Sequence, residues 1–209
     1  MSPYVRKTLA YMAEKGLEVE LKVAGLGSTD PAFLEASPFG KMPGFRDGDF
    51  AISDSTAIIT YLETKHPSPP LLPAAPESRA RTIWYEEFAD TILVACMAKL
   101  FFNQIVSPRF LGRPGDMAVA DKARADELPP LLDYIERVMP ASGHLVDDRL
   151  TLADIAVASP FVNFAHCGEV PQADSHPKTA AFVYAMLTRP SFAPYVAQEK
   201  AFLARSPTA

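Results

Sequence analysis

Residues 37–55, SPFGKMPGFRDGDFAISDS, contain the pattern from which the fold can be predicted. They combine a proline turn, two short apolar segments and an Asp-Gly pair at 47–48, which is typical of a tight hairpin. We expect strands at 44–47 and 50–52, followed by a helix that Ser53 or Asp54 opens. Because the first backbone N–H groups of a helix have no partner within it, the same stretch is a candidate site for a small anion.

The residues before this stretch predict a helix and a strand. Ser2 is a good N-cap, Pro3 suits the first helical position, and Gly16 can supply a left-handed turn after the helix. Residues 18–23, EVELKV, alternate apolar and polar side chains, which predicts a half-buried strand. Together with the helix at 54–66, these segments predict a small α/β sheet with helices packed on it.

A proline-rich boundary separates this part from the rest of the chain. Residues 66–77, HPSPPLLPAAPE, contain five prolines, so they cannot form the interior of a helix or a sheet. We expect a first domain at 1–66, a linker at 67–76 and an all-helical domain at 77–209. Apolar side chains at helical spacing predict helices in this second domain at 79–103, 118–138, 151–167, 178–189 and 192–205.

Composition narrows the class of protein. The 209 residues are 48% hydrophobic and 22% charged, with a net charge of −5, so no basic surface for nucleic acid is indicated. Cys96 and Cys167 both lie in apolar helical stretches, which suits reduced thiols in the cytoplasm. We find neither an apolar run long enough for a membrane span nor a signal peptide. A soluble, cytoplasmic protein is expected.

Four motifs, in this order, resemble those of the cytosolic glutathione transferase family. Residues 2–7, SPYVRK, look like the active-site serine turn of the serine-type members. Residues 37–43, SPFGKMP, are similar to the family's Asn-Pro-Phe-Gly-x-Val-Pro turn, and residues 54–58, DSTAI, resemble its Glu-Ser-x-Ala-Ile motif. Residues 151–154, TLAD, match its Ser/Thr-x-x-Asp signature. The resemblance is to a bacterial, serine-type member, similar to the tau, theta, phi and zeta classes.

The resemblance implies a fold and an activity. Family members combine a thioredoxin-like N-terminal domain with an all-α C-terminal domain and bind glutathione, as a co-substrate, between them. They activate its thiolate for attack on a small hydrophobic electrophile and need no metal. They are usually homodimers, in which the helices after Asp54 and after Pro76 would face the partner. We expect neither nucleic acid nor a membrane among the partners.

The resemblance also assigns roles to residues of the first domain. Ser2 would donate its hydroxyl to the thiolate, which is the nucleophilic form of a thiol. Lys41 would face the glycyl carboxylate, and a cis Pro43 would leave the backbone of Met42 to pair with the peptide like an added strand. The structural alternatives are that Ser2 only caps a helix, that Lys41 is solvated, and that Pro43 follows an ordinary trans bond.

Asp54 and Ser55 would hold the γ-glutamyl end of glutathione. The carboxylate of Asp54 would form an ion pair with the ammonium of the ligand. The hydroxyl and N–H of Ser55 would donate hydrogen bonds to the carboxylate of the ligand. Both residues can cap the following helix as well. Tyr4 and Phe110 are candidates for the second-substrate pocket, although aromatic side chains at helical spacing more often belong to a core. Thr151 and Asp154 we assign to helix capping.

The start of the chain departs from the family. Resembling proteins place a central β-strand before the serine turn, whereas only Met1 precedes Ser2 here, so we expect that the first strand is missing from this sequence. A glutathione-dependent isomerase of the maleylacetoacetate type is an alternative function, although its Ser-Ser-Cys turn is absent. A non-catalytic binding module of the same fold is another. Thiol–disulfide reduction is disfavoured, because Cys96 and Cys167 are far along the chain from the serine turn.

Overall fold

The computed structural model describes residues 1–25 and 27–205, which form two compact units. The first unit, Met1–Leu71, contains both helices and strands, and the second, Leu72–Ala209, is here called the helical unit. The α/β and all-α classes predicted from the sequence are therefore both present.

The first unit contains three helices and one hairpin among its described residues. The α1 and α2 helices precede strands β1 and β2, and α3 follows them. Their bounds are Pro3–Glu14 for α1, Pro31–Ala36 for α2, Gly44–Asp47 for β1, Phe50–Ser53 for β2 and Ser55–Lys65 for α3. The strands are antiparallel, and Asp47 pairs with Phe50 across a two-residue turn in which Gly48 has a φ of 59°. Glycine suits this left-handed position, and the predicted hairpin is confirmed.

The core of the first unit lies between α1 and α3. Ile58, Ile59 and Leu62 of α3 are buried, as are Leu9 and Met12 of α1. The buried positions of α3 repeat at helical spacing and form one face, whereas every residue of α1 from Arg6 to Met12 is buried.

A polar cluster ties the C-terminal ends of α1 and α3 together. The hydroxyl of Tyr11 donates to the carboxylate of Glu63, and the same carboxylate forms an ion pair with Lys15. The Lys15 ammonium also donates to the carbonyls of His66 and Pro69, at 2.7 Å each. The C-terminal ends of α1 and α3 therefore lie next to each other.

The strand predicted at 18–23 is wrong. The described residues of this segment are not in a strand, and the sheet consists of β1 and β2. Val19, Leu21 and Val23 are exposed, with Val23 at 93%, so the alternating pattern does not mark a buried face. A strand needs a neighbour to accept its backbone hydrogen bonds, and no described strand lies beside this segment.

The described residues of the helical unit form helices α4 to α8. Their bounds are Pro76–Phe110 for α4, 117–138 for α5, Leu152–His166 for α6, Pro177–Leu187 for α7 and Ala193–Ala204 for α8. The α4 helix includes two π-helical stretches, Phe88–Leu93 and Phe102–Val106, and α5 includes a third, Ala123–Glu127. After this third π-helical stretch the α-helix resumes at Leu128, so Pro129 lies in the first turn of the resumed helix, a position that tolerates proline.

The α6 helix is the centre of the helical unit. Every side chain from 152 to 164 is buried, and α6 packs against α4 and α7. The carboxylate of Asp154 accepts the backbone N–H groups of Thr151 and Leu145, each at 2.8 Å. A buried helix start is satisfied in this way by a capping box.

The α4 helix is longer and more apolar than the sequence analysis predicts for any segment of the chain. An 18-residue window of this helix has a mean hydropathy of 1.4, and 44% of that window is buried. By length and composition α4 passes the test for a membrane span, a test that the core helix of a soluble protein also passes. The expectation that no segment reaches this threshold is therefore wrong, and one such helix is weak evidence for a membrane.

Candidate functional site

At the start of α3, one backbone N–H has no hydrogen-bond partner among the residues that the structure describes. Asp54 Oδ1 accepts the N–H groups of Thr56 at 2.9 Å and Ala57 at 3.0 Å, and the Asp54 carbonyl accepts the N–H of Ile58 at 3.0 Å. Within the described chain, the N–H and hydroxyl of Ser55 make no hydrogen bond. A carboxylate can therefore be bound by Ser55 at the positive end of this helix.

The backbone of Asp54 is held in an uncommon conformation. Its φ is 80° and its ψ is 128°, a combination that side-chain-bearing residues rarely adopt. Its two cap hydrogen bonds hold the residue there and fix the orientation of the carboxylate. Strained backbone of this kind clusters at binding sites, so Asp54 is a functional candidate on conformation as well as on motif.

The turn at 37–43 is closed by hydrogen bonds of its own. Ser37 Oγ donates to the carbonyl of Lys41 at 2.6 Å, and the N–H of Gly40 donates to the carbonyl of Ser37 at 2.9 Å. The Lys41 side chain is exposed. The Met42–Pro43 bond is cis, as the resemblance implies.

Strand register brings the turn and the helix start together. Gly44 of β1 pairs with Ser53 of β2, so Pro43 and Asp54 are the next residues outward at the same end of the hairpin. Paired residues of antiparallel strands lie about 4.5–5.5 Å apart. Met42 makes no backbone hydrogen bond to another described residue, so its N–H and carbonyl are available beside Asp54.

Tyr61 joins the hairpin to α3, a role that the motifs do not reveal. Its ring stacks on Phe50 with 4.5 Å between centroids, and its hydroxyl donates to Asp47 Oδ2 at 3.0 Å. Lys65 also donates to Asp47, and these two hydrogen bonds, with that of Lys65 the larger cause, lower the pKa of the Asp47 carboxyl. Phe50 in the hairpin and Tyr61 in α3 are eleven residues apart in the sequence, a spacing that does not predict a contact. Only the structure identifies it.

Ser2 lies at the N-cap of α1. Its Oγ accepts the N–H of Val5 at 3.4 Å, a long hydrogen bond that occupies one lone pair. Tyr11 lies nine residues after Ser2 in α1, and Glu63 lies nine residues after Asp54 in α3. The hydrogen bond between Tyr11 and Glu63 connects the ends of these two helices. Ser2 and Asp54 are therefore at the starts of two neighbouring helices whose ends meet.

The two second-substrate candidates belong to different units. Tyr4 is a half-buried residue of α1, and its carbonyl accepts the hydroxyl of Thr8 at 3.0 Å. Phe110, at the end of α4, stacks on Phe202 of α8 with a centroid distance of 5.9 Å and an interplanar angle of 6°. Phe110 is 41% exposed, so this aromatic pair presents a face to solvent.

Both cysteines are free, and both belong to the helical unit. Burial raises the pKa of Cys96 to about 11 and that of Cys167 to about 12. A thiol with such a pKa stays protonated at neutral pH and is a poor nucleophile. Among the residues that the structure describes, no group of His, Cys, Asp and Glu side chains is arranged to hold a metal ion.

Comparison with known families gives a match in each unit. Residues 1–70 match the family described as "Glutathione S-transferase, N-terminal domain". Residues 101–199 match "Glutathione S-transferase, C-terminal domain". Among individual proteins, Glutathione S-transferase 3 of Zea mays is 31% identical over 203 residues, which are 94% of this chain and 90% of that protein.

Solved structures agree with these matches. A glutathione S-transferase from Rhodospirillum rubrum F11 has a TM-score of 0.83 at 27% identity, covering 92% of this chain and 87% of its own. A glutathione S-transferase from Methylobacterium radiotolerans, in complex with glutathione sulfonate, has a TM-score of 0.75 at 29% identity. That comparison covers 93% of this chain and 90% of the other.

Proposed function

This chain belongs to the glutathione S-transferase family, and from that premise we propose that Ser2 activates glutathione for attack on a small hydrophobic electrophile. Membership makes the chain a glutathione transferase. The proposal concerns the residues that bind glutathione, the group that stabilises its thiolate and the class of second substrate. Conjugation of this kind serves detoxification.

The observation that carries the proposal is the start of α3. Glutathione begins with a γ-glutamyl group that bears an ammonium and a carboxylate. The free N–H and hydroxyl of Ser55 suit the carboxylate, and the neighbouring carboxylate of Asp54 suits the ammonium. The negative charge of Asp54 and the neutral hydrogen-bond donors of Ser55, at the positive end of α3, therefore match the two charges on one carbon atom of the ligand.

The turn before β1 would bind the rest of the tripeptide. The unbonded backbone of Met42 can pair with the cysteinyl residue of glutathione as an added strand would, with Pro43 fixing the turn. The exposed ammonium of Lys41 would then face the glycyl carboxylate. Each end of the ligand thus meets a group of opposite charge, while its centre meets backbone.

Ser2 can cap α1 and serve the thiolate at the same time. A hydroxyl has one donor and two acceptor positions, and Val5 occupies one acceptor only. The thiol of a free cysteine has a pKa of about 8.5, so a hydrogen bond to its thiolate raises the reactive fraction at neutral pH. The positive end of α1 acts in the same direction. The raised pKa values of Cys96 and Cys167 favour this serine mechanism over one that uses a protein thiol.

The electrophile, in this proposal, meets aromatic side chains. The half-exposed pair Phe110 and Phe202 offers a flat apolar surface in the helical unit, which suits an aryl or alkyl halide. Tyr4 remains the candidate from the first unit. A cytoplasmic location is also proposed, supported by two free cysteines, which are common where disulfides are kept reduced.

We further propose a homodimer. Phe39 is 90% exposed, and Trp84 and Ile92 of α4 are each about half exposed, at 51% and 45%. Large apolar side chains of this kind are enriched in protein interfaces. Sedimentation velocity at micromolar concentration should give the mass of two chains, and a monomer under those conditions would remove the proposal.

A serine series tests the mechanism. Wild type should bind to immobilised glutathione and conjugate 1-chloro-2,4-dinitrobenzene. Ser2→Ala should lower kcat about 100-fold, because the loss of one hydrogen bond to an anion in the reaction has an effect of this size. KM for glutathione should change little. Ser2→Thr keeps the hydroxyl and should recover much of the loss. Ser28→Ala removes a hydroxyl from a loop of the same unit and is the matched control.

The outcomes separate the enzyme from its alternatives. A rise in the apparent pKa of the kcat/KM profile in Ser2→Ala supports thiolate stabilisation by this hydroxyl. An unchanged kcat in Ser2→Ala contradicts the assigned role. Glutathione binding without any conjugation points to a non-catalytic module of the same fold.

A further inference from the structure

Three side chains of the helical unit form a hydrogen-bonded chain that shares no residue with the glutathione site. The Nε2 atom of His176 lies 3.0 Å from Oδ1 of Asp133, and its Nδ1 atom lies 2.9 Å from Oγ of Ser175. Asp133 is on α5, whereas Ser175 and His176 directly precede α7. A hydroxyl, an imidazole and a carboxylate connected in this order are the groups with which hydrolases activate a serine.

The hydrogen bond to Asp133 determines which nitrogen of His176 carries the proton. An ionised carboxylate only accepts hydrogen bonds, so Nε2 is the donor. In a neutral imidazole the other nitrogen is then an acceptor, and the hydroxyl of Ser175 donates to Nδ1. The carbonyl of Gln172 is the other acceptor near this hydroxyl, and it is farther away, at 3.4 Å. The proton of Ser175 is therefore directed at a base. In the serine proteases the two ring nitrogens have exchanged roles, but the order of the groups is the same.

The exposure of the three groups differs in a way that suits catalysis of modest rate. Ser175 is exposed, so a substrate can reach its hydroxyl. The side chain of His176 is 14% exposed and is held between its two partners, whereas that of Asp133 is 72% exposed. Because water surrounds the Asp133 carboxylate, it orients the imidazole through the hydrogen bond and contributes little through its charge.

An apolar cavity of about 260 Å³ lies beside this chain of side chains, and Ser175 and His176 both line it. Its floor includes the buried side chains of Leu128, Phe161 and Phe164, which come from α5 and α6. A volume of this size is smaller than that of sites for drug-sized ligands, so the cavity suits a short acyl group.

The other charged residues of the described lining, Arg124 and Glu169, pair with each other. Arg124 Nε donates to the carboxylate of Glu169, and Arg124 also donates to Asp121. These charges compensate each other, so the cavity favours an uncharged acyl group. Because the guanidinium is already engaged, we expect little stabilisation of a negative oxygen in the reaction. Hydrolysis should therefore be limited to esters with a good leaving group.

We propose that Ser175, His176 and Asp133 hydrolyse activated esters of short carboxylic acids without glutathione. Ser175 Oγ attacks the carbonyl carbon of the ester while its proton passes to Nδ1 of His176. The bond to the alcohol oxygen breaks, the alcohol leaves with that proton, and the acyl group remains on Ser175. Water then attacks the acyl carbon and gives a proton to His176, and the carboxylic acid leaves as Ser175 regains the proton. This reaction does not depend on the mechanism assigned to Ser2.

Hydrolysis of p-nitrophenyl butanoate by the full chain, with no glutathione present, tests the proposal. Ser175→Ala and His176→Asn should each lower kcat about 100-fold, because general acid–base catalysis contributes at least a factor of this size. Asp133→Asn should lower kcat up to about fivefold, since the carboxylate is exposed. Ser142→Ala and His66→Asn make the same substitutions elsewhere in the chain and should hydrolyse the ester as wild type does. Thermal melts check that each variant is folded.

A covalent reagent separates catalysis from a structural role of the same hydrogen bonds. Phenylmethanesulfonyl fluoride should sulfonylate Ser175 with loss of fluoride, and peptide mass mapping should find the adduct at this residue. His176→Asn keeps the serine but removes the base, so its Ser175 should not be labelled. A serine that only closes the turn before α7 would react no faster than Ser142.

Three results would overturn the proposal. The first is no hydrolysis of p-nitrophenyl butanoate by wild type above the rate in buffer. The second is equal kcat in wild type and Ser175→Ala, since another group would then be the nucleophile. The third is hydrolysis that requires glutathione, which would assign the reaction to the glutathione site. Faster hydrolysis of p-nitrophenyl butanoate than of p-nitrophenyl dodecanoate supports binding of the acyl group in the cavity, and equal rates contradict it.

Discussion

Asp54 Oδ1 accepts the backbone N–H of Ala57 at 3.0 Å while the Asp54 backbone has a φ of 80°. The cap therefore holds the residue in a conformation that it would otherwise leave. The second carboxylate oxygen makes no hydrogen bond to the described residues, and Asp54 is exposed. One oxygen of this side chain caps α3, and the other has no described partner. Capping of the helix and charge toward the ligand can therefore be tested separately.

Asp54→Asn should separate charge from capping. The amide oxygen of asparagine can accept the same two N–H groups, and asparagine tolerates a positive φ, so the melting temperature should stay near that of wild type. The loss of the negative charge should raise KM for glutathione up to about fivefold, because an exposed ion pair contributes up to about 1 kcal/mol. Steady-state kinetics with glutathione as the varied substrate measures this change.

Asp54→Ala provides the complement. It loses both the charge and the cap, so it should also lower the free energy of unfolding by about 1 kcal/mol. If Asp54→Asn leaves KM for glutathione unchanged, the carboxylate does not bind the ammonium, and Asp54 is a helix cap only.

Asp154→Ala should destabilise the chain without acting on glutathione. Asp154 is fully buried and accepts the N–H groups of Leu145 and Thr151, so its loss leaves both donors without a partner in the protein interior. We expect a loss of about 3 kcal/mol in the free energy of unfolding, measured by urea denaturation. Asp116→Ala removes an exposed cap that accepts Val119 N–H at 3.2 Å and should cost about 1 kcal/mol. Equal losses would mean that burial of Asp154 adds nothing.

Local patterns predicted most of the elements. The Ser2 cap, Gly16 and the turn at 47–48 each act within a few residues, and α1 and the hairpin were expected from them. The four motifs added the cis bond at Pro43, which no local preference indicates. The predicted strand at 18–23 failed because pairing depends on a neighbour elsewhere in the chain, which an alternating pattern cannot supply.

The contacts that shape the candidate site were less accessible from the sequence. The stacking of Tyr61 on Phe50, and the cluster of Tyr11 and Glu63, join residues from separate elements. The positive φ of Asp54 was not anticipated either, because aspartate at a helix N-cap usually has extended backbone. Such features depend on how the helices and strands pack. The sequence motifs identified the candidate site residues, and the structure supplied their contacts and backbone conformations.

Stability should depend on pH through His144. Its Nδ1 lies 3.6 Å from Asp154 Oδ2, and this carboxylate raises the pKa of His144 above its usual 6.5. Asp148 acts in the same direction, while burial and Arg189 oppose it. Because the pKa is higher in the folded state than in the unfolded state, the stabilisation is fully present below about pH 6.5 and is lost as pH rises through the folded value.

A comparison of wild type with His144→Asn at two pH values isolates this effect. The difference in the free energy of unfolding should be larger at pH 5.5 than at pH 8.5, and the contributions of other groups cancel in that difference. Urea denaturation at each pH measures it. A difference that does not change with pH, or that grows toward pH 8.5, would show that the ion pair does not form.

Neither cysteine should take part in the reaction. With a pKa of about 11 for Cys96 and about 12 for Cys167, less than about one part in a thousand of either thiol is ionised at pH 7.5. The double variant Cys96→Ala, Cys167→Ala should keep kcat/KM for conjugation within about twofold, although the shortened buried side chains cost some stability. Labelling with 5,5′-dithiobis(2-nitrobenzoate) should be slow in the folded chain and complete for both thiols in 6 M guanidinium. Rapid labelling of the folded chain, or loss of conjugation in a double variant that still melts cooperatively, would assign a thiol to the mechanism in place of the Ser2 hydroxyl.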